Sequence, residues 1–220
     1  MSREEYDRRL ASGAYKFTLG ADESGFGSWA GPLFVCACAA PVDWKPPRAL
    51  NDSKKLTSEK REEVFYFLKI DQSLRFEVAT ADVDEIDRDG LGKALRRCFT
   101  EAISKLLPFT PEALVVVDGE VQLTGLNYLH FPRADGQVPA VMAASVYGKV
   151  LHDRAMVKLA QQYPGYGLGD HMGYGTKQHE NALRIKGKSP VHRKYTPMER
   201  ILTGKRGRKI VDFDDDVDFE

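Results

Sequence analysis

Cysteine is scarce in this chain, with three in 220 residues. Cys36, Cys38 and Cys98 are an odd set without CxxC spacing, which excludes a disulfide framework and a thiolate zinc site. Two of them lie in the apolar run LFVCACAA, where a thiol packs as a small hydrophobe. No apolar run reaches the roughly 18 residues a membrane helix needs. The N-terminus, MSREEYDRRL, is charged where a secretory signal would be apolar, so a cytoplasmic protein is expected, with no membrane partner. The histidines show no HExxH or other metal-ligand spacing, and no internal repeat is present. Net charge is missing too: 32 Lys and Arg balance 32 Asp and Glu. That zero hides an asymmetry, because the last nine residues, DFDDDVDFE, hold six acids and leave 32 basic against 26 acidic groups, or +6, in the preceding 211. A moderately basic body fits an anionic partner, although many ordinary enzymes are as basic.

What is present is enough apolar material, 42% of residues, for one large domain with a small appendage. β-Branched and aromatic content bounded by Gly, Pro and Asp predicts strands over Tyr15 to Asp22, Leu33 to Ala40, Leu74 to Thr80 and Ala113 to Asp118. Thr57 or Ser58 can cap a helix carrying Val64, Phe65 and Leu68. Leu91, Leu95, Cys98, Ala102 and Leu106 form an apolar stripe at helical spacing that stops before Pro108, and a third helix spans about Pro139 to Gln162. The stretch 163–197, rich in Gly, His, Lys and Tyr, reads as a helical and loop extension. Residues 204–220, basic KRGRK and then the acidic run, read as a disordered tail, leaving 1–203 as the folded unit.

Four acids stand where ligand sites gather. Asp22 and Glu23 close the first strand in GADESGFGSWAGP, Asp118 ends ALVVVD just before Gly119, and Asp135 precedes a helix in FPRADGQVPA. Neighbouring side chains of a strand face opposite ways, so Asp22 and Glu23 share one site only if the strand breaks at Ser24-Gly25. Clustered carboxylates need a neutralising cation. Oxygen-only donors suit Mg²⁺ or Mn²⁺, and paired ions of that kind serve in-line phosphoryl transfer. Taken singly, each Asp is as easily a cap or turn residue.

Six blocks decide between these readings. GADESGFGSWAGP, LNDSKKL at 50–56, VVVDG at 115–119, RADGQVPAVMAASVYGKVLHDR at 133–154, YPGYGLGDHMGYGTKQH at 163–179 and SPVHRKYTPM at 189–198 resemble, in order and spacing, the ribonuclease HII (type 2 ribonuclease H) family. The resemblance implies an α/β, ribonuclease H-like fold, a mixed five-stranded sheet flanked by helices, with a C-terminal helical extension from about residue 163. It makes Asp22, Glu23, Asp118 and Asp135 the catalytic, metal-binding set, with two Mg²⁺ or Mn²⁺ ions. The implied substrates are RNA/DNA hybrids and DNA duplexes containing ribonucleotides, cut to leave 3′-hydroxyl and 5′-phosphate ends. It further implies that the backbone of Gly25, Phe26 and Gly27 approaches the ribose 2′-hydroxyl, the only handle distinguishing RNA from DNA at one position. Tyr174 would stack under the nucleotide at the RNA-to-DNA junction. Asn51, Ser53, Lys54 and Lys55 would touch the nucleic-acid backbone, and Ser145, Lys149, His192 and Arg193 are candidates for phosphate or structural contacts.

The chain departs from the family where Gly25-Phe26-Gly27 replaces the usual Gly-Arg-Gly. That removes a cation and puts single-ribonucleotide specificity in question. A tract-cutting enzyme of the ribonuclease HIII kind is the alternative, although such enzymes usually carry an extra N-terminal domain, for which 14 residues before the first strand leave no room. Another ribonuclease H-fold DNA nuclease and an inactive nucleic-acid binding module are more distant readings. A monomer is expected, with the acidic tail a possible dock for a replication or repair protein.

Overall fold

In the computed structural model, which describes residues 2–51 and 53–203, the central strand is β1 (Phe17–Ser24). It pairs antiparallel with β2 (Leu33–Pro41) and parallel with β4 (Ala113–Asp118). β3 (Arg75–Ala81) adds antiparallel to β2, and β5 (Tyr128–Phe131) adds parallel to β4, giving the order β3-β2-β1-β4-β5. The mixed five-stranded sheet expected above is therefore present. The helices are α1 (Arg3–Ala11), α2 (Ser58–Ile70), α3 (Val83–Asp89), α4 (Leu91–Leu106), α5 (Pro139–Gln162), α6 (Leu168–His171), α7 (Lys177–Lys186) and α8 (Met198–Thr203). None is long and apolar enough to cross a membrane among the described residues. The tail expected at 204–220 lies outside the described residues.

The sheet is covered on both faces, which explains why β2 reads as a continuous apolar run instead of an alternating one. Val35, Ala37 and Ala39 point with Leu19 and Ala21 toward the stripe of α4, where Ala94, Cys98, Phe99, Ala102, Ile103 and Leu106 are buried. Cys36, Cys38 and Ala40 point the other way, toward Ala140, Ala143 and Ala144 of α5. All three cysteines are buried and free. On the α5 face, helix and sheet approach closely at Gly20. A Cβ there would lie 2.2 Å from the Val141 nitrogen and 2.4 Å from the Ala140 carbonyl carbon, so only glycine lets α5 lie this low. A separate cluster of Met156, Tyr166, Leu168, Leu183, Ile201 and Ala30 binds α6, α7 and α8 to the far half of α5.

Candidate active site

β1 and β4 run parallel with Ala21 opposite Val117, which sets Asp22 and Asp118 side by side at the carboxyl ends of adjacent strands. Asp135 arrives from the single 3-10 turn Ala134–Gly136 that leads into α5. Asp118 itself builds that turn, accepting hydrogen bonds at Oδ1 from the amides of Ala134 (2.6 Å) and Asp135 (3.3 Å). Carboxylate oxygens of Asp22, Asp118 and Asp135 come within 4.8 Å of one another. Glu23 is outside this group of three but next to it. Its amide donates to Asp22 Oδ1 (2.8 Å), β1 continues through Ser24, and the chain turns only at Gly25.

The electrostatics are those of a site built for a cation. Burial, followed by repulsion from Glu23, Asp118 and Asp135, pushes the Asp22 carboxyl well above its usual range. Burial and then the Asp118 charge raise Glu23 to about 7, and burial and Asp135 raise Asp118. The Lys54 Nζ is 3.3 Å from Asp135 Oδ2, but it is an exposed amine against several carboxylates. Oxygen-only donors in this density match hard divalent ions such as Mg²⁺ or Mn²⁺, so the residues present fit that group.

Two segments frame the acids. Ser145, projecting from α5, hydrogen-bonds Asp22 and lies 3.0 Å from the Ser53 hydroxyl. Ser53 opens the 3-10 turn Ser53–Lys55, which the Arg61 guanidinium fixes from below through the carbonyls of Ser53 (3.1 Å) and Leu56 (2.6 Å). Asn51, Lys54 and Lys55 are exposed on this segment. One turn beyond Ser145 on α5, Lys149 bonds Asp153 (2.6 Å) and sits 5.6 Å from the centre of the Tyr174 ring. Asp153 also faces Arg61 (3.5 Å), so it ties the two framing segments together.

The glycine loop is held from behind. Arg193, fully buried, donates from Nε to Gly31 O (2.9 Å) and from Nη1 to Phe26 O (3.0 Å). Its amide and the Thr196 hydroxyl both donate to Trp29 O (2.8 and 2.9 Å), and the Tyr195 hydroxyl donates to Ser28 O (2.8 Å). The carbonyls of Phe26, Ser28, Trp29 and Gly31 are thus turned inward onto residues 193–196. Gly25 has φ +84° and a Cβ there would stand 2.5 Å from His152 Nε2, so its glycine is required by conformation and by packing. A Cβ on exposed Gly27 would be 3.8 Å from the Tyr174 ring, which places loop and ring on one surface. Phe26, between Gly25 and Gly27, is partly buried and packs against the α4-side core, as do Leu126, Tyr128 and Tyr195.

The structure therefore gathers Asp22, Asp118 and Asp135 at one point, with Glu23, Ser53, Lys54 and Ser145 around them and Gly25, Gly27, Lys149 and Tyr174 alongside. His192 and Arg193 are inside the protein, at 5% and 0% exposure. Sequence reasoning missed Arg61, His152, Tyr195 and Thr196. Tyr195 and Thr196 lie within the SPVHRKYTPM block and His152 within the 133–154 block, which were the available signals; nothing local marks Arg61.

A mixed sheet in this order, with acids at the ends of its first and fourth strands, defines a ribonuclease H-like fold. The same fold occurs in the complex of PCNA with RNase HII from Archaeoglobus fulgidus, where the matched chain gives a TM-score of 0.68 at 24% identity, covering 88% of this chain and 98% of that one. The sequence carries the assignment further. The Ribonuclease HII family model matches residues 19–200. The chain is 43% identical over 175 residues to a Ribonuclease HII of Thermus thermophilus, covering 80% of this chain and 83% of the relative. It is 35% identical over 202 residues to that of Natranaerobius thermophilus, covering 88% and 98%. This chain belongs to the ribonuclease HII family of endonucleases.

Proposed function

We propose that the chain hydrolyses the RNA strand of RNA/DNA hybrids and cuts on the 5′ side of single ribonucleotides embedded in duplex DNA, leaving 3′-hydroxyl and 5′-phosphate ends. The observation that carries this is the convergence of Asp22, Asp118 and Asp135 within 4.8 Å at the ends of two parallel strands. Together with Glu23 they would hold two Mg²⁺ or Mn²⁺ ions, which when bound lower the pKa of water and stabilise a leaving 3′-oxygen. The protein's own part is positional. Ser145 and the amides of Ala134, Asp135 and Glu23 hold the carboxylates in place, so the charge needs no rearrangement when substrate arrives. Asn51, Ser53, Lys54, Lys55 and Lys149 line the approach as donors and point charges for phosphates. With the Phe26 carbonyl pinned inward, the Gly25–Gly27 loop offers bare backbone to a ribose, and Tyr174 beside Gly27 offers a stacking face. His192 and Arg193 serve this surface from within.

Phe26 favours a second reading. Because Phe26 stands where the family usually has an arginine, the loop presents no cation from that position to the phosphate beside the recognised sugar, and an enzyme that cuts RNA tracts better than single ribonucleotides fits that loss. The partner suited to the acidic tail is a replication or repair protein. The enzyme is expected to act as a monomer. One experiment tests the main reading: a duplex with one embedded ribonucleotide and a hybrid with a long RNA stretch are each incubated with Mg²⁺, Mn²⁺ or EDTA. Asp118→Asn serves as the control, since its Oδ1 keeps the two amide bonds while the charge is lost. Cleavage of both substrates that needs metal and falls at least about a hundredfold in the variant is expected. Near-normal turnover by Asp118→Asn rejects the carboxylate site, and cleavage of the tract alone selects the second reading.

A further inference from the structure

Three histidines lie together in the C-terminal extension, away from the carboxylates. The rings of His171 and His179 stack with centroids 4.3 Å apart, and His179 Nε2 is 3.0 Å from His192 Nε2. Their outer contacts fix where every proton sits. His179 Nδ1 is 3.0 Å from the Tyr174 carbonyl, which can only accept, so Nδ1 carries the hydrogen and Nε2 is a lone pair. His192 Nδ1 accepts from the Ser189 amide at 3.0 Å, which can only donate, and lies 2.8 Å from the Ser189 hydroxyl, so His192 carries its hydrogen on Nε2 and gives it to His179. The relay from Ser189 through His192 and His179 to Tyr174 O is complete only when both rings are neutral. A proton added to His179 would set two N–H groups against each other, and one added to His192 would set an N–H against the Ser189 amide, with only the Ser189 hydroxyl beside it able to accept.

This relay ends on the residue that faces the glycine loop. The Tyr174 carbonyl also accepts from the Thr176 amide (2.9 Å), and Gly175 lies so close to Trp29 that a Cβ would reach its ring at 2.2 Å. Trp29 in turn donates its amide to Gly173 O (2.8 Å). Backbone orientation at Tyr174 is thus set by His179 on one side and by the glycine loop on the other. We propose that His179 and His192 form a neutral hydrogen-bonded pair that positions Tyr174 at the substrate, so that protonating the pair weakens single-ribonucleotide recognition without touching the carboxylates.

The proposal rests on the reading of Tyr174 as a stacking residue for the nucleotide. The groups around the pair agree with it. From α6 comes His171, from the preceding loop Tyr166 (4.8 Å from the His192 ring), from residues 188–193 Lys188 and Arg193, and from α8 Arg200, which lies over Trp29 and is paired with Glu180 of α7 (3.1 Å). Glu180 is the one acid among these, and Arg200 occupies it, so no carboxylate in this group supports an imidazolium. Burial holds both His179 and His192 down at about 4. Since both are depressed below the ordinary 6.5, their neutral form contributes stability that is fully present above pH 6.5 and is lost as pH falls toward 4.

The test has two independent arms. In ¹⁵N,¹H spectra of the histidine rings, His179 should carry its proton on Nδ1 and His192 on Nε2 from pH 7 down to about 5. Ordinary titration near 6.5 at either ring overturns the pair. In the activity arm, the ratio of single-ribonucleotide to tract cleavage is read, which cancels titration of the shared carboxylates. His192→Phe should lower that ratio about tenfold, the effect of roughly one buried hydrogen bond, and His192→Gln, which restores an N–H donor, should recover most of it. In a Tyr174→Ala background the same substitution should do nothing further. A folded His192→Phe protein with an unchanged ratio overturns the proposal. Should that variant not fold, the wild type decides, because its ratio must hold steady from pH 7 to 5, fall as pH drops from 5 toward 4, and stay flat over the same range in Tyr174→Ala. If the ring protons are as stated and Tyr174 resonances move in His192→Gln while the wild type ignores single ribonucleotides, the substrate reading is overturned and the hold on Tyr174 stands.

Discussion

Glu23→Gln should make the metal-free protein more stable while making it a poorer enzyme. Glu23 is raised from 4.5 to about 7, first by burial and then by the Asp118 charge, with Lys54 opposing. Above pH 7 this carboxyl is ionised in both folded and unfolded chains, and its burial beside Asp118 costs the fold stability. Below about 4.5 it is protonated in both and costs nothing. Stability of the metal-free protein should therefore rise as pH falls from 7 to 4.5, opposite to the usual carboxylate. Taken in full, the displacement amounts to about 3 kcal/mol. Partial exposure and the nearby Lys54 reduce the expected gain to about 1–2 kcal/mol, or about 2–8 °C in Tm for a chain of this size.

Thermal denaturation in EDTA at pH 8 and pH 5 measures the effect. The variant should melt higher than wild type at pH 8, and the gap should close at pH 5, where the wild-type carboxyl is largely neutral. With millimolar Mg²⁺ at pH 8 the order should narrow or reverse, because a cation bound to the folded state stabilises the wild type by mass action. A variant that melts lower in EDTA at pH 8, or a gap that persists at pH 5, would refute the view that like-charge repulsion loads this site.

Gly20→Ala should cost about 3 kcal/mol or more, because its Cβ would stand 2.2 Å from the Val141 backbone and α5 would have to lift by about an ångström; a Tm drop of about 6–12 °C by calorimetry is expected, and an unchanged melt contradicts the packing. Phe26→Arg should raise the ratio of single-ribonucleotide to tract cleavage by supplying a cation worth about 1.5–3 kcal/mol, and lower Tm by removing the ring's packing against the core. An unchanged ratio, measured at matched temperature below both melts, ends the junction argument for this position. Deleting residues 212–220 should tighten nucleic-acid binding and steepen its salt dependence, since six acids are removed; identical affinities from 50 to 200 mM salt would show that the tail does not compete for the substrate groove.

Where local pattern decides structure, the sequence was nearly sufficient. The strand at Ala113–Asp118 and the helix at Pro139–Gln162 lie where periodicity and proline placed them, and Thr57 caps α2 through the Lys60 amide. β5 escaped because four residues, YLHF, carry too little alternation to outweigh the flanking Gly, Asn and Pro. α1 escaped because its sequence, REEYDRRLA, is nearly all charged, and buried Tyr6 is its main attachment to the core. α3 is short and acidic, and the Asp82 cap alone did not mark it. The adjacency of Asp22 and Asp118 could be inferred from two strand ends, but the separation of Glu23 from the group of three could not, because it depends on β1 staying pleated through Ser24.

The deeper obstacle is that charge type does not reveal which way a side chain points. His192 and Arg193, in a segment bounded by Pro190 and Pro197, have the composition of a solvated phosphate-binding loop, yet both are buried. Arg193 directs Nε and Nη1 at the carbonyls of residues 31 and 26, more than 160 positions away in the chain, while its buried Nη2 makes no hydrogen bond among the described residues. A guanidinium is suited to that work because its planar fork can satisfy several buried acceptors at once, and each carbonyl it takes turns the other side of the peptide outward. Phe26 is the complement of this arrangement: its partly buried ring packs against the α4-side core while its carbonyl is held by Arg193. The proposed recognition surface is therefore specified largely by residues that do not lie on it, and those are the residues whose substitution should change substrate preference while leaving the carboxylates in place.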